Sequence, residues 1–152
     1  MLSLSTLLAL AAPAALLSLT AASVEDTAPM PDKVHCNSTE TRYSCCAHLY
    51  NKHIIKFNDT LCLDVEFDPK TTLLDVDMTL DGSDLFEKAY NLTDLSKACV
   101  MTPIIHKTAE VCADFDKINI TTHGLSACAE IELIAIGHRI AHVDLGCFHF
   151  HY

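Results

Sequence analysis

The apolar residues of this chain recur at every second position over long stretches, and that period limits what it can fold into more than any other feature. Leu61, Leu63, Val65 and Phe67 fall on one side of an extended segment, with Cys62, Asp64 and Glu66 on the other. This is the pattern of a strand with one buried face and one wet face. After Pro69 it resumes with Leu74, Val76, Met78 and Leu80 against Asp75, Asp77 and Thr79, and it stops at the turn signal Asp81-Gly82-Ser83. Val111, Ala113 and Phe115 oppose Cys112, Asp114 and Asp116, and the segment runs on through Ile118 and Ile120 to a break at His123-Gly124. Ala129, Ile131 and Leu133 oppose Cys128, Glu130 and Glu132, and Ala141, Val143, Leu145 and Cys147 oppose His142 and Asp144, with a hairpin turn predicted at Gly137-His138 between them.

Two stretches are less defined. His53-Ile54-Ile55-Lys56-Phe57 is a shorter candidate strand ahead of an expected Asn58-Asp59 turn. Residues 83–95 fit either a short helix (Leu85, Phe86, Ala89) or a strand (Phe86, Lys88, Tyr90, Leu92). Strands at this spacing, without regular helical crossovers, predict an antiparallel all-β sandwich or barrel.

The cysteines decide what such a domain is stapled with. There are eight, Cys36, Cys45, Cys46, Cys62, Cys99, Cys112, Cys128 and Cys147, an even number that in a secreted chain predicts disulfides, with 105 possible connectivities. No Cys-x-x-Cys knuckles are present, so a zinc-ribbon reading fails. Adjacent Cys45 and Cys46 are expected to reach different partners, because the peptide between them holds their sulfurs badly for bonding each other.

Secretion is itself an expectation from the sequence. Leu2 to Ala22 is apolar, broken by Pro13, and ends in small residues just before Glu25 and Asp26, the layout of a cleaved signal peptide over residues 1–22, although no Lys or Arg precedes it. Residues 23–35, with Pro29 and Pro31, are expected to form a flexible leader, and 36–152 a single cystine-bonded β domain. The chain holds 20 acidic and 10 basic residues, a net charge of -10. That surface repels phosphate backbones and anionic lipid heads, which argues against nucleic acid and peripheral membrane partners. No later apolar run has the length of a membrane span.

Acceptor triplets for N-glycosylation stand at Asn37-Ser38-Thr39, Asn58-Asp59-Thr60, Asn91-Leu92-Thr93 and Asn119-Ile120-Thr121. Nine histidines raise a metal reading. His149 and His151 lie two apart, roughly 7 Å along one side of a strand, and would chelate only with a third ligand from elsewhere. His138 and His142 are roughly 13 Å apart if extended. Scattered surface imidazoles are the expected outcome, with no metal or cofactor. Asp75-Val76-Asp77 with Asp81-Gly82 lacks the spacing of a calcium loop and is read as a strand with a wet acidic face. There is no Gly-x-Ser-x-Gly elbow, and carboxylate pairs such as Glu130 and Glu132 are read as a solvated face, so no catalytic residue is assigned.

Several blocks resemble a known family. Cys45-Cys46-Ala47 with Ile54-Ile55-Lys56-Phe57 and Leu61-Cys62-Leu63 is similar to its opening. Cys99-Val100-Met101-Thr102-Pro103-Ile104 leading to Val111-Cys112-Ala113-Asp114-Phe115 is similar to its centre, and Ala127-Cys128-Ala129-Glu130-Ile131 with Leu145-Gly146-Cys147 to its close. The family is the cysteine-rich domain-of-unknown-function family 4773 of small secreted insect and other arthropod proteins. The resemblance implies a secreted, cystine-bonded domain and no assigned activity.

The expected function is a non-enzymatic secreted binding or interaction module, whose partner would be an extracellular protein. The alternative is a carrier of a small apolar ligand such as a lipid, held between the sheets. A hydrolase with a site assembled from distant residues stands third.

Overall fold

The alternating segments pair with their neighbours in chain order. The structure, a computed structural model, describes residues 33–51, 57–104 and 107–152. Antiparallel strands β1 (Lys33–Ser38), β2 (Arg42–Asn51), β3 (Phe57–Asp68), β4 (Leu73–Leu80) and β5 (Ser83–Asn91) form one sheet in that order. Strands β6 (Lys97–Ile104), β7 (Lys107–Thr121), β8 (Gly124–Ala135) and β9 (His138–His151) form the second, also in chain order. Two separate meanders sharing one core make an antiparallel sandwich, as the alternation predicts.

The core is the sum of the inward parities. Leu61, Leu63, Val65 and Phe67 of β3 and Leu74, Val76 and Met78 of β4 are buried, as are Val111, Ala113, Ala129, Ile131 and Leu133 of β7 and β8. β2 adds Tyr43, Cys45, Ala47 and Leu49, a period-two set that its cysteines and polar residues disguise. β1 is exposed along its whole length. Its first residues, Lys33 to His35, fall in the stretch expected to be a leader.

At one place the sheets are joined by polar contacts as well. The buried Tyr43 hydroxyl of β2 donates to the Leu145 carbonyl of β9 at 2.6 Å, and its ring stacks on Phe148 with centroids 4.8 Å apart. Nearby, the His151 amide donates to the Glu40 carbonyl at 3.0 Å and the Phe67 and Tyr152 rings meet at 4.4 Å.

Bulges change the parity where the sequence reading held it constant. In β7 the register skips one residue between Asp116 and Asn119, with Lys117 at φ +50°. This is why Phe115 and Ile118, of opposite parity, can both turn inward. β9 carries two such irregularities. Leu145 is the extra residue between the pairs Ala129–Gly146 and Glu130–Asp144, and Ile140 the extra one between Leu133–Ala141 and Ile134–Arg139. Beyond Leu145 the buried residues are therefore Phe148 and Phe150. Cys147, expected on the inner side, is exposed on the outer one.

Turn chemistry accounts for the other differences. Asp81 and Gly82 have φ of +48° and +78°, and Ile136 and Gly137 of +54° and +73°. Both central residues are left-handed in each two-residue turn, as a type I′ hairpin requires. The second turn thus lies one residue before the predicted Gly137-His138. Asn58-Asp59 is no turn: both residues pair within β3, opposite Tyr50 and Leu49. Of the candidate strand before them, residues 53–56 lie outside the described residues. The ambiguous 83–95 stretch contains strand β5 and no helix, with Phe86 and Tyr90 packed against the core from the sheet's edge.

Every disulfide joins register partners within one sheet. Cys36 bonds Cys45 between β1 and β2, Cys46 bonds Cys62 between β2 and β3, Cys99 bonds Cys112 between β6 and β7, and Cys128 bonds Cys147 between β8 and β9. Adjacent Cys45 and Cys46 reach different partners because neighbouring side chains on a strand point to opposite faces. Cys45 faces the core while Cys46 is half-exposed. The link from Cys45 goes back to β1, only 9 residues away, so β2 is stapled on both flanks and no bond crosses between the sheets.

Candidate functional site

The outer face of the second sheet gathers charge in register. Across it run two neighbouring rows. One is Lys97, Asp114, Glu130 and Asp144, and the other is Cys99, Cys112, Glu132 and His142, each residue opposite the next on strands β6 to β9. These are the polar parities of the same strands whose alternate residues build the core, so the fold that buries Ile131 and Leu133 also presents Glu130 and Glu132.

Glu132 is the centre of the arrangement. It is only 8% exposed. Lys97 Nζ reaches its Oε2 at 2.9 Å, Arg139 Nη2 reaches its Oε1 at 3.2 Å, and Lys97 also lies 3.4 Å from Asp114 Oδ2. The Lys97 hydrogen bond, against the cost of burial, holds the Glu132 carboxyl below the ordinary carboxylate range, and the same contact raises the Lys97 ammonium. A carboxylate held ionised in this way is a fixed anion. It has no spare proton to give as a general acid.

His142 reaches diagonally. Its register partner is Glu132, but its Nε2 donates to Glu130 Oε2 at 2.9 Å. The bulges at Ile140 and Leu145 bracket this short piece of β9, and added local twist is how bulges re-aim side chains. Beside Glu130 lies a shallow depression of about 200 Å³, lined by Asp116, Lys117, Glu130, Asp144, Gly146 and the Cys128–Cys147 bond. Gly146, at φ +88°, donates its amide to Asp144 Oδ1 at 2.8 Å and so fixes that carboxylate at the rim.

A second cluster sits at the end of the first sheet. The Asp59 carboxyl hydrogen-bonds to Asp81, whose Oδ1 accepts the Thr60 amide at 2.8 Å, and His48 Nδ1 lies 3.2 Å from Thr60 Oγ1. Burial first, and then the Asp81 carboxylate, push Asp59 up to about 6. Asp81 is held low by the Thr60 amide and by the Asp59 proton. On the outer face of the same sheet Arg42 pairs with Asp64 at 2.9 Å. Asp75 and Asp77 lie on strand β4 on either side of buried Val76, in the strand geometry the alternation predicts.

The residues singled out in the sequence separate accordingly. Glu130, Glu132 and His142 come together. His138 stands apart at the start of β9, exposed. His149 and His151 are exposed with ring centroids 4.4 Å apart, and no third ligand joins them within coordinating reach among the described residues. Asn37, Asn58, Asn91 and Asn119 are all exposed. Sequence reasoning missed Lys97 and Arg139, which lie outside the alternating segments it recognised, and the Asp59–Asp81 pair, which only the strand register brings together. No free thiol exists among the described cysteines, so a cysteine nucleophile is not part of this face.

No curated protein and no solved structure matches the chain. A family model does, over residues 35–152, and the chain belongs to that family, described as Domain of unknown function (DUF4773).

Proposed function

We propose that the protein is a secreted glycoprotein that acts as a non-enzymatic binding module, engaging an extracellular partner through the outer face of its second sheet. The observation that carries this is the division of the strands. Their inward residues are spent on one shared core, and the charged side chains of Lys97, Glu132, Arg139 and Glu130, with the His142 imidazole, lie on the outer face beside a depression. Ordered charge pairs on a rigid sheet give orientation and specificity to an encounter.

Glycan placement supports the same face. Asn37, Asn58 and Asn91 belong to the first sheet, and Asn119 lies beyond the bulge of β7, opposite Ser126 and away from the rows that hold Glu130 and Glu132. Sugars at these positions leave the middle of the second sheet open. Four disulfides in a domain of this size are consistent with an oxidising, extracellular setting.

The test is expression of the full chain in a secretory cell. The protein is expected in the medium, shifted in mass by glycosidase, with the shift reduced stepwise by Asn→Gln at positions 37, 58, 91 and 119. Partner capture from the producing fluid should then be lost in the double variant Lys97→Glu/Arg139→Glu. Capture that survives this reversal overturns the assignment of the face, and retention inside the cell overturns secretion. The carrier reading draws on the half-buried Leu85, Phe86 and Tyr90 at the β5 edge. Native mass spectrometry showing a co-purifying apolar ligand would favour it over the interaction module.

A further inference from the structure

We propose that His142, Glu130 and Glu132 form a binding site for a divalent transition-metal ion of the zinc class. One donor atom from each residue lies within 4.8 Å of the other two, and His142 Nε2 lies 2.9 Å from Glu130 Oε2. Binding the ion gives up that hydrogen bond, with the imidazole neutral, its proton on Nδ1 and the Nε2 lone pair on the metal. Ligand bonds of about 2.0–2.2 Å in tetrahedral array require donors roughly 3.4 Å apart. Side-chain adjustments of about an ångström therefore bring the three donors into a facial set.

Several features of the face favour a cation there. The carboxylates of Asp114, Asp116, Glu130, Glu132 and Asp144 outnumber Lys97, Lys117 and Arg139. His142 lies opposite Glu132 in register and reaches diagonally to Glu130, so its imidazole is within reach of both carboxylates. Glu130 and His142 are both partly exposed, with side chains 37% and 35% accessible, so a water or an outside ligand can reach the remaining coordination position. An imidazole with two carboxylates selects zinc, cobalt, nickel or copper over calcium and magnesium, which prefer oxygen alone.

Arg139 is the competitor. Its contact to Glu132 Oε1 is made by a side chain 55% exposed while the Glu132 side chain is 10% exposed, so the guanidinium can move out into water and the carboxylate stays where it is. The ion displaces Arg139 from Oε1 while Lys97 keeps Oε2 and goes on holding the carboxylate in place. Outer contacts of that kind orient a metal ligand.

The site is independent of the partner-binding reading, since the titration below needs no partner. Its failure and the failure of partner capture are separate results. The experiment uses the full secreted chain with its disulfides intact, stripped with chelator and titrated with zinc chloride by calorimetry near neutral pH. Cobalt absorption serves as a spectroscopic check on tetrahedral coordination. Saturable binding is expected, weakened at least about tenfold by His142→Ala and by Glu130→Gln, and unchanged by His149→Ala/His151→Ala. Arg139→Ala, which removes the competitor and leaves every ligand, should tighten binding severalfold. Absence of heat and of a cobalt spectrum overturns the proposal. So does binding that follows the His149/His151 pair, or a weaker site in Arg139→Ala.

Discussion

Replacing Tyr43 with Phe takes a single oxygen out of the joint between the sheets and leaves everything around it. The Tyr43 hydroxyl donates to the Leu145 carbonyl at 2.6 Å in a buried position. Leu145 is the extra residue of a bulge and has no register partner on β8, so the phenol supplies a partner that the ladder does not. Burial pushes the Tyr43 hydroxyl up to about 12, and it keeps its proton throughout the neutral range. The ring stack on Phe148 and the buried area survive the change. What is lost is one net hydrogen bond, about 0.5–1.5 kcal/mol, with a buried carbonyl left unsatisfied at about 1–3 kcal/mol. Because these overlap, the expected loss is about 2 kcal/mol. Guanidinium chloride unfolding of the disulfide-intact protein, followed by circular dichroism, should show a lower midpoint with an unchanged slope. A loss under about 0.5 kcal/mol would refute the reasoning, since the carbonyl would then be satisfied without the phenol.

Further outcomes follow from local geometry and charge. Asp59 titrates near 6 in the native state against an ordinary 3.8, so the folded protein holds a proton that the unfolded chain has released. Its stabilising effect is complete below about 4 and is lost as pH rises through about 6; Asp59→Asn should remove that fall from a pH series of unfolding midpoints. Ile136 is β-branched, 63% exposed and left-handed at φ +54°, so Ile136→Asn should raise stability by about 1 kcal/mol in thermal unfolding. Gly124 has no room for a side chain, because a Cβ there would run into the Phe150 carbonyl. Gly124→Ala should destabilise by about 1–3 kcal/mol in the same assay, through overpacking of the β8–β9 ladder.

Much of the fold is legible in the residues because burying one face of a sheet writes a period of two into the strand. Leu61 to Phe67, Leu74 to Met78 and Ala129 to Leu133 show it plainly, and the buried positions follow it. The period fails where the backbone departs from a regular strand. A bulge inserts one residue without altering the apolar pattern around it, so in Leu145-Gly146-Cys147 only the isolated glycine, left-handed at φ +88°, marks the place where Cys147 changes sides. β1, exposed throughout, has no apolar parity to read, and the inward set of β2 begins with a tyrosine and a cysteine. Asn58-Asp59 looks like a turn by composition, yet cross-strand pairing with Leu49 and Tyr50 overrides that preference.

The candidate site was less legible for a related reason. Glu130, Glu132 and His142 are identifiable as polar parities, but their meeting depends on which strands are neighbours and on the register between them. Lys97 and Asp114 lie a strand apart in space and 17 residues apart in sequence, and no local motif links them. Asp59 and Asp81 meet only because β4 lies beside β3.

The central claim is that each sheet is cross-linked by disulfides only within itself, and that the two sheets are held together by their shared core. Non-reducing peptide mapping of the full chain expressed under oxidising conditions tests it most directly. The account predicts Cys36–Cys45, Cys46–Cys62, Cys99–Cys112 and Cys128–Cys147. Any peptide joining one of the first four cysteines to one of the last four would contradict it.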